Sequence, residues 1–214
     1  MIKLAARVGI IGPILFATVV TLLTIFKFDF LLSLGWHPIN APTFDWPSGL
    51  ALGDFGWIMT ATFLLSGLMM AIFASGLRLS LSTQLKTSLP HTSLTFFAAL
   101  ALTLAGLAIA GLAFTTDPTI RSTPVTWHGR LHDFSFVVLG LTLMPAMILL
   151  GFAFQQDERW KNLSLYTWIT VALAFPTFWL KGAAFYIFML AVLVWSEVVA
   201  FRLQAFTNAQ TPKG

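Results

Sequence analysis

Two imidazoles four positions apart, His128 and His132, stand with Asp117, Arg130 and Asp133 in the stretch FTTDPTIRSTPVTWHGRLHDFSF, residues 114–136. It holds two Asp, two Arg and two of the four His in a chain only 9% charged, so chemistry is sought here first. If a helix begins a little before His128, this spacing sets the two rings one turn apart on one face, where they can chelate one divalent metal ion. A metal centre needs at least a third ligand, and an open position for water if it is catalytic. Asp117, Asp54, His37 and Asp45 are the candidate ligands, with Asp117 or Asp133 as third ligand or base. The pattern lacks the Glu of the zinc-protease helix and carries Gly129 between the histidines, so the spacing alone does not select a metal. The residue types of a Ser/His/Asp site exist in Ser48, His128 and Asp117, yet no sequence feature marks Ser48 as an activated nucleophile. A bis-histidine haem needs rings facing each other across a bundle, which one helix cannot offer.

Plainer roles compete for the same residues. Asp54 and Asp133 near helix starts suit the helix dipole or cap free N–H groups. Arg121 and Arg130 can pair with Asp117 and Asp133, or with lipid phosphate. Glu197 is a separate candidate, because a carboxylate inside an apolar segment is costly unless paired, protonated or wetted. Lys181, in a tight turn, is explained by snorkelling to headgroups.

The elements that must position these groups are membrane helices. The chain has 214 residues, of which 57% are hydrophobic, and its mean hydropathy is +0.85. Both are typical of a bilayer protein rather than a water-soluble domain. At about 20 residues per crossing, six apolar runs fit: roughly 8–28, 54–77, 93–114, 131–154, 164–180 and 183–201. The expected fold is an all-α polytopic bundle forming a single membrane domain over 1–214, its first helix retained rather than cleaved as a signal peptide. Placing the N-terminus inside collects Lys3, Arg7, Arg78, Lys86, Arg159, Lys161, Arg202 and Lys213 on the cytoplasmic side. Lys27, Arg121, Arg130 and Lys181 are then outside, which favours both termini cytoplasmic. On that topology the outer face carries His37, His128 and His132 with Asp29, Asp45, Asp54, Asp117 and Asp133, while His91, Asp157 and Glu158 lie inside.

There is no cysteine, which excludes disulfides and thiolate chemistry. Lys and Arg occur without a run able to track a phosphate backbone, so nucleic acid is not an expected partner. Gly12-Pro13, Pro145 and Pro176 interrupt expected helices. Ala101, Ala105 and Ile109, beside Gly106 and Ala110, allow close helix approach. The eight Trp are expected as interfacial anchors near helix ends. Leu52-Gly53-Asp54-Phe55 and Leu131-His132-Asp133-Phe134 echo each other, but four residues do not make a repeat.

Ser48-Gly49-Leu50-Ala51-Leu52-Gly53, Gly56-Trp57-Ile58-Met59, Phe63, Gly67 and Ala74-Ser75-Gly76-Leu77 resemble the first signature of the bacterial membrane family called domain of unknown function 998. Gly111, Phe114-Thr115-Thr116-Asp117-Pro118 and Gly129-Arg130-Leu131-His132-Asp133 resemble its two later signatures. The resemblance covers roughly residues 36–145. It implies a six-helix-type integral protein of the bacterial inner membrane and includes Asp117, His132 and Asp133 in the pattern, while His128 is not a secure family position. It implies no activity.

The leading functional expectation is a non-enzymatic bundle that binds a lipid, an apolar ligand or a membrane partner through an outer-face cluster of Asp117, His128, Arg130, His132, Asp133 and Asp54. The alternatives are a metal-assisted membrane hydrolase with His128 and His132 as ligands, and a small transporter using Glu197.

Overall fold

A computed structural model describes residues 1–42, 45–82, 89–180 and 182–209, leaving aside the side chains of 89–92 and 209. Lys86, Lys181 and Lys213 lie outside the described residues, and so does the His91 side chain. The described residues form α1 (Ile2–Phe26), α2 (Phe28–Ser33), a 3₁₀ turn η1 (Ser48–Ala51), α3 (Gly56–Ser82), α4 (Leu89–Gly111), α5 (Trp127–Gln155), α6 (Asn162–Leu180) and α7 (Ala184–Ala209). Six of these helices are long and apolar enough to cross a membrane. The protein is an all-helical membrane protein.

Each long helix packs against its neighbour in sequence, and α7 returns to pack on α1, so the six spans close into a ring. A Cβ on Gly9 of α1 would meet Phe73 near the end of α3 and Ala200 near the end of α7, and one on Gly76 would meet Ala5 and Leu203. The start of α1 and the end of α7 therefore share one end of the ring, and the 34–55 and 112–126 connections share the other, here called the loop end.

Small residues set the tightest seam, between α3 and α4. A Cβ on Gly67 would lie 2.3 Å from the Gly106 carbonyl oxygen and 2.8 Å from Ala110 Cβ, and one on Gly106 would lie 2.7 Å from the Gly67 oxygen. In lipid, helices gain little from excluding water, so association depends on such backbone contact. Pro13, Pro145 and Pro176 each lie within one uninterrupted helix.

Among the boundaries that differ from expectation, α1 begins at Ile2 rather than near 8, α7 runs to Ala209 rather than near 201, and α5 begins at Trp127 rather than near 131. Thr126 is its N-cap, and its hydroxyl accepts the Gly129 N–H at 3.1 Å. The cap is thus Thr126 and not Asp133, which lies two turns into the helix. Three Trp also depart from the interfacial expectation, with Trp36, Trp160 and Trp195 buried. Trp36 Nε1 donates to the Pro42 carbonyl, Trp195 Nε1 donates to Thr167, and Trp160 stacks on Phe154 at 4.9 Å. A partner for the indole N–H, or a ring to stack on, lets the large apolar body enter the core. Trp57, Trp127 and Trp179 remain exposed near helix ends, as expected of anchors.

Candidate functional site

The loop end is assembled by polar side chains that fasten the two connections to each other and to α5. In the first connection, Lys27 follows α1 and is 8% exposed. Its ammonium donates to the Leu50 carbonyl at 3.0 Å and to the Leu52 carbonyl, and lies 4.8 Å from the centre of the Phe30 ring. Burial holds its pKa below the ordinary value of 10.5, with Asp54 partly opposing the shift. Lys27 thus secures η1 from its C-terminal side, where helix carbonyls need donors.

Asp45 fastens the other side of η1. Its carbonyl accepts the Gly49 N–H, and its carboxylate crosses to the second connection, where it accepts the Thr119 N–H at 3.0 Å and the Thr119 hydroxyl at 2.8 Å. Asp45 has φ of 56°, a left-handed conformation that Asp tolerates better than most residues. Ser48, the first residue of η1, is set between these two fastenings.

The second connection is built around Asp117. Its carboxylate accepts the Thr126 N–H at 2.7 Å and the Thr126 hydroxyl at 2.8 Å. The backbone N–H bond is the main reason its pKa falls below the ordinary 3.8. Partial burial opposes this, and the Thr126 hydroxyl, His128 and Arg121 add to it. Gly129 makes the arrangement fit: a Cβ there would lie 2.2 Å from Asp117 Oδ2. Arg121 donates to the Pro118 carbonyl at 3.0 Å. The ion pairs among the described residues, Arg159–Asp157 and Lys161–Glu158, belong to the opposite end of the ring.

The two histidines share a helix but take different partners. His128 Nδ1 lies 2.8 Å from the Thr115 carbonyl and 2.9 Å from the Thr126 hydroxyl. A carbonyl only accepts, so this nitrogen carries the proton. His132 is 4% exposed. Its Nδ1 lies 3.0 Å from the Leu112 carbonyl and 2.8 Å from the Phe114 carbonyl, at the chain leaving α4, and therefore also carries the proton. Gly111 permits this approach, because a Cβ there would stand 2.3 Å from Ser135 Oγ of α5. With a proton on Nδ1, Nε2 is the acceptor in the uncharged form of the ring, and Ser48 Oγ lies 2.8 Å from it. The Phe63 ring meets the imidazole in a T-shaped contact with centroids 6.4 Å apart.

The expected cluster is therefore divided. Asp117 and His128 form a clasp on the α5 N-terminus, whereas His132 turns toward Ser48. Ser48 is the residue the sequence undervalued: its hydroxyl pairs with His132 and not with His128. Asp133 is exposed but lines the same pocket as His132, and Arg130, Asp54 and His37 are exposed. Among the described residues, no three His or carboxylate groups converge as a metal-binding set. Both nitrogens of His132 are hydrogen-bonded, so His128 and His132 do not form a ligand pair in this arrangement.

Two cavities share a wall at Ser48. A polar pocket of about 150 Å³ at the loop end is lined by Asp45, Ser48, Thr116, Thr119, His132 and Asp133, among others. Beneath it, between α1, α3, α4, α5 and α7, lies an almost wholly apolar cavity of about 120 Å³. Its walls include Gly12, Phe63, Met69, Leu143 and Val192, and the buried hydroxyl of Ser66, which has no hydrogen-bond partner among the described residues. Pro47, Ser48, Phe136 and Phe185 line both cavities. Glu197 lines neither, and its two carboxylate oxygens are buried without a hydrogen-bond partner among the described residues.

Residues 10–202 match the family described as protein of unknown function DUF998. The chain belongs to the DUF998 family. The match extends through α6 and most of α7, well past the signatures that carried the resemblance. No curated protein and no solved structure matches the chain. The DUF998 signatures nonetheless acquire physical roles in this member. Gly129 admits the Asp117 clasp, Gly111 admits the carbonyls that orient His132, Gly67 admits α4, and Ser48 meets His132.

Proposed function

We propose that this DUF998 protein binds a single-chain amphiphile, with its head in the loop-end polar pocket and its tail in the apolar cavity below. The observation that carries this reading is the wall that the two cavities share, formed by Pro47, Ser48, Phe136 and Phe185. A cavity of about 120 Å³ is near the size that accepts a six-carbon ring, so it takes the first methylenes of a chain. A tail arriving from the bilayer gains little from this burial, because lipid is already apolar. Selectivity must therefore come from the head. The polar pocket presents two carboxylates, an imidazole and three hydroxyls, with no Lys or Arg among its described lining residues. That favours a cationic or neutral head over phosphate or sulfate. By the distribution of basic residues, the loop end faces the outer side of the membrane.

The test uses the full chain in nanodiscs, with Trp46 in the pocket wall as the fluorophore. A brominated single-chain alkylamine should quench its fluorescence saturably, and the matching alkyl sulfate should do so more weakly. Gly12→Leu, which extends a side chain from the cavity wall, should weaken alkylamine binding about tenfold, since overpacking costs about 1–3 kcal/mol. Equal quenching by both head groups, unaffected by Gly12→Leu, would refute the reading.

A further inference from the structure

Among the four residues common to both cavities, Ser48 alone has a polar side chain. It is also the residue whose hydroxyl lies 2.8 Å from Nε2 of an imidazole whose Nδ1 faces two carbonyls. We infer that Ser48 and His132 form a nucleophile and general base that cleave a carboxylic ester in the bound amphiphile, with the acyl chain in the apolar cavity and the alcohol portion in the polar pocket. This rests on the amphiphile reading above and adds a reaction to it.

Four features of a serine nucleophile site are present. The base touches the nucleophile at 2.8 Å, within the range for proton transfer. The base is oriented by groups that only accept: the Leu112 and Phe114 carbonyls hold Nδ1–H, which is the orienting part of a carboxylate's role in a triad. Lys27 and Asp45 secure the turn carrying Ser48, while Phe63 packs beside the imidazole. Thr116, on the polar pocket wall, supplies a hydroxyl for the developing oxyanion. Its present bond to the Asp117 carbonyl is long, at 3.3 Å, and easily exchanged.

The reaction balances with water as the co-reactant. Ser48 Oγ bonds to the ester carbonyl carbon as its proton passes to His132 Nε2. The tetrahedral adduct collapses, the bond from carbon to the alcohol oxygen breaks, and Nε2 returns the proton to the leaving alcohol. Water then attacks the acyl-serine and gives a proton to Nε2. The carbon–Oγ bond breaks, and the proton returns to Ser48 as the carboxylic acid departs. His132 is the base in both halves and needs no metal ligand to act.

The experiment treats the full chain in nanodiscs with a long-chain alkyl fluorophosphonate and measures the intact mass and the modified peptide. Alkylamine quenching is measured in the same samples. Folded wild type should gain one phosphonyl group on Ser48, and heat-unfolded protein none. His132→Gln should react at least about a hundredfold more slowly, the lower end of the range attributed to general-base assistance. Ser48→Ala should remain unmodified. If Ser48→Ala or His132→Gln fails to fold, the contrast between folded and unfolded wild type still decides the question. Wild type that binds the alkylamine but is not modified at Ser48 would overturn the catalytic inference and leave the binding reading standing. Wild type that neither binds nor reacts would overturn both. Equal modification rates in wild type and His132→Gln would remove His132 from the base role.

Discussion

Replacing Gly129 by alanine should destabilise this protein, although glycine to alanine within a helix ordinarily stabilises by about 1 kcal/mol. The added Cβ would stand 2.2 Å from Asp117 Oδ2, whereas ordinary contact begins at 3.4 Å, so the carboxylate must retreat by the difference, about 1.2 Å. The bond from Thr126 N–H to that oxygen, now 2.7 Å, then lengthens to about 3.9 Å and is lost. The Thr126 hydroxyl, which Asp117 holds in place at 2.8 Å, is freed at the same time, and with it the N-cap of α5. Loss of a Thr cap costs about 1 kcal/mol, and a part-buried N–H left without an acceptor about 1–3 kcal/mol. These outweigh the gain in propensity and leave a net loss of about 1–3 kcal/mol. The assay is equilibrium unfolding in mixed micelles followed by tryptophan fluorescence, with Gly129→Ala made in wild type and in Asp117→Ala. Without the carboxylate the methyl group has room, so the substitution should be neutral or mildly stabilising in the second background. An equal cost in both backgrounds, or a stabilisation in wild type, would refute the explanation of Gly129 as the seat of the Asp117 clasp.

Two further outcomes follow from charged groups. Asp117 has a folded pKa below its ordinary 3.8, so the unfolded chain binds the proton more readily. Its contribution is present above 3.8 and is lost as the pH falls through the depressed folded value. Unfolding midpoints against pH should show this acid-side slope in wild type and lose part of it in Asp117→Asn; an unchanged slope would assign it to other carboxylates. Glu197 buries two oxygens without a partner among the described residues, so Glu197→Leu should raise stability by about 1 kcal/mol, the lower end for such a group because its stem is part-exposed. A loss of stability in the same unfolding assay would instead indicate a bound cation or proton-sharing partner and revive the transport reading.

The number of crossings, the approximate helix positions and the concentration of polar groups at one end could all be read from the sequence. A bilayer forces every backbone group in a span to be satisfied within the segment, so long apolar runs must be helices wherever they pack. The small-residue seam at Gly106 and Ala110 was legible for a similar reason, since lipid leaves close backbone approach as a main source of helix affinity. The start of α5 was less so, because the Thr126 cap is held by a bond to Asp117, nine residues away along an irregular connection. The burial of Trp36 and Trp195 likewise depended on distant partners for their indole N–H groups.

The functional pairing lay beyond the sequence. His128 and His132 are close in the chain and suggested one shared role, but their proton positions are set by different carbonyls, Thr115 for the first and Leu112 with Phe114 for the second. The partner of His132 is 84 residues away, on a short turn with no periodicity to announce it. Composition and hydropathy determined that this chain must be a membrane helix bundle, because solvent acts on every residue of a span at once. Only the tertiary structure decided that Ser48 meets His132 at the wall shared by a polar pocket and an apolar cavity, because hydrogen bonds depend on distance and direction in space rather than on separation along the chain.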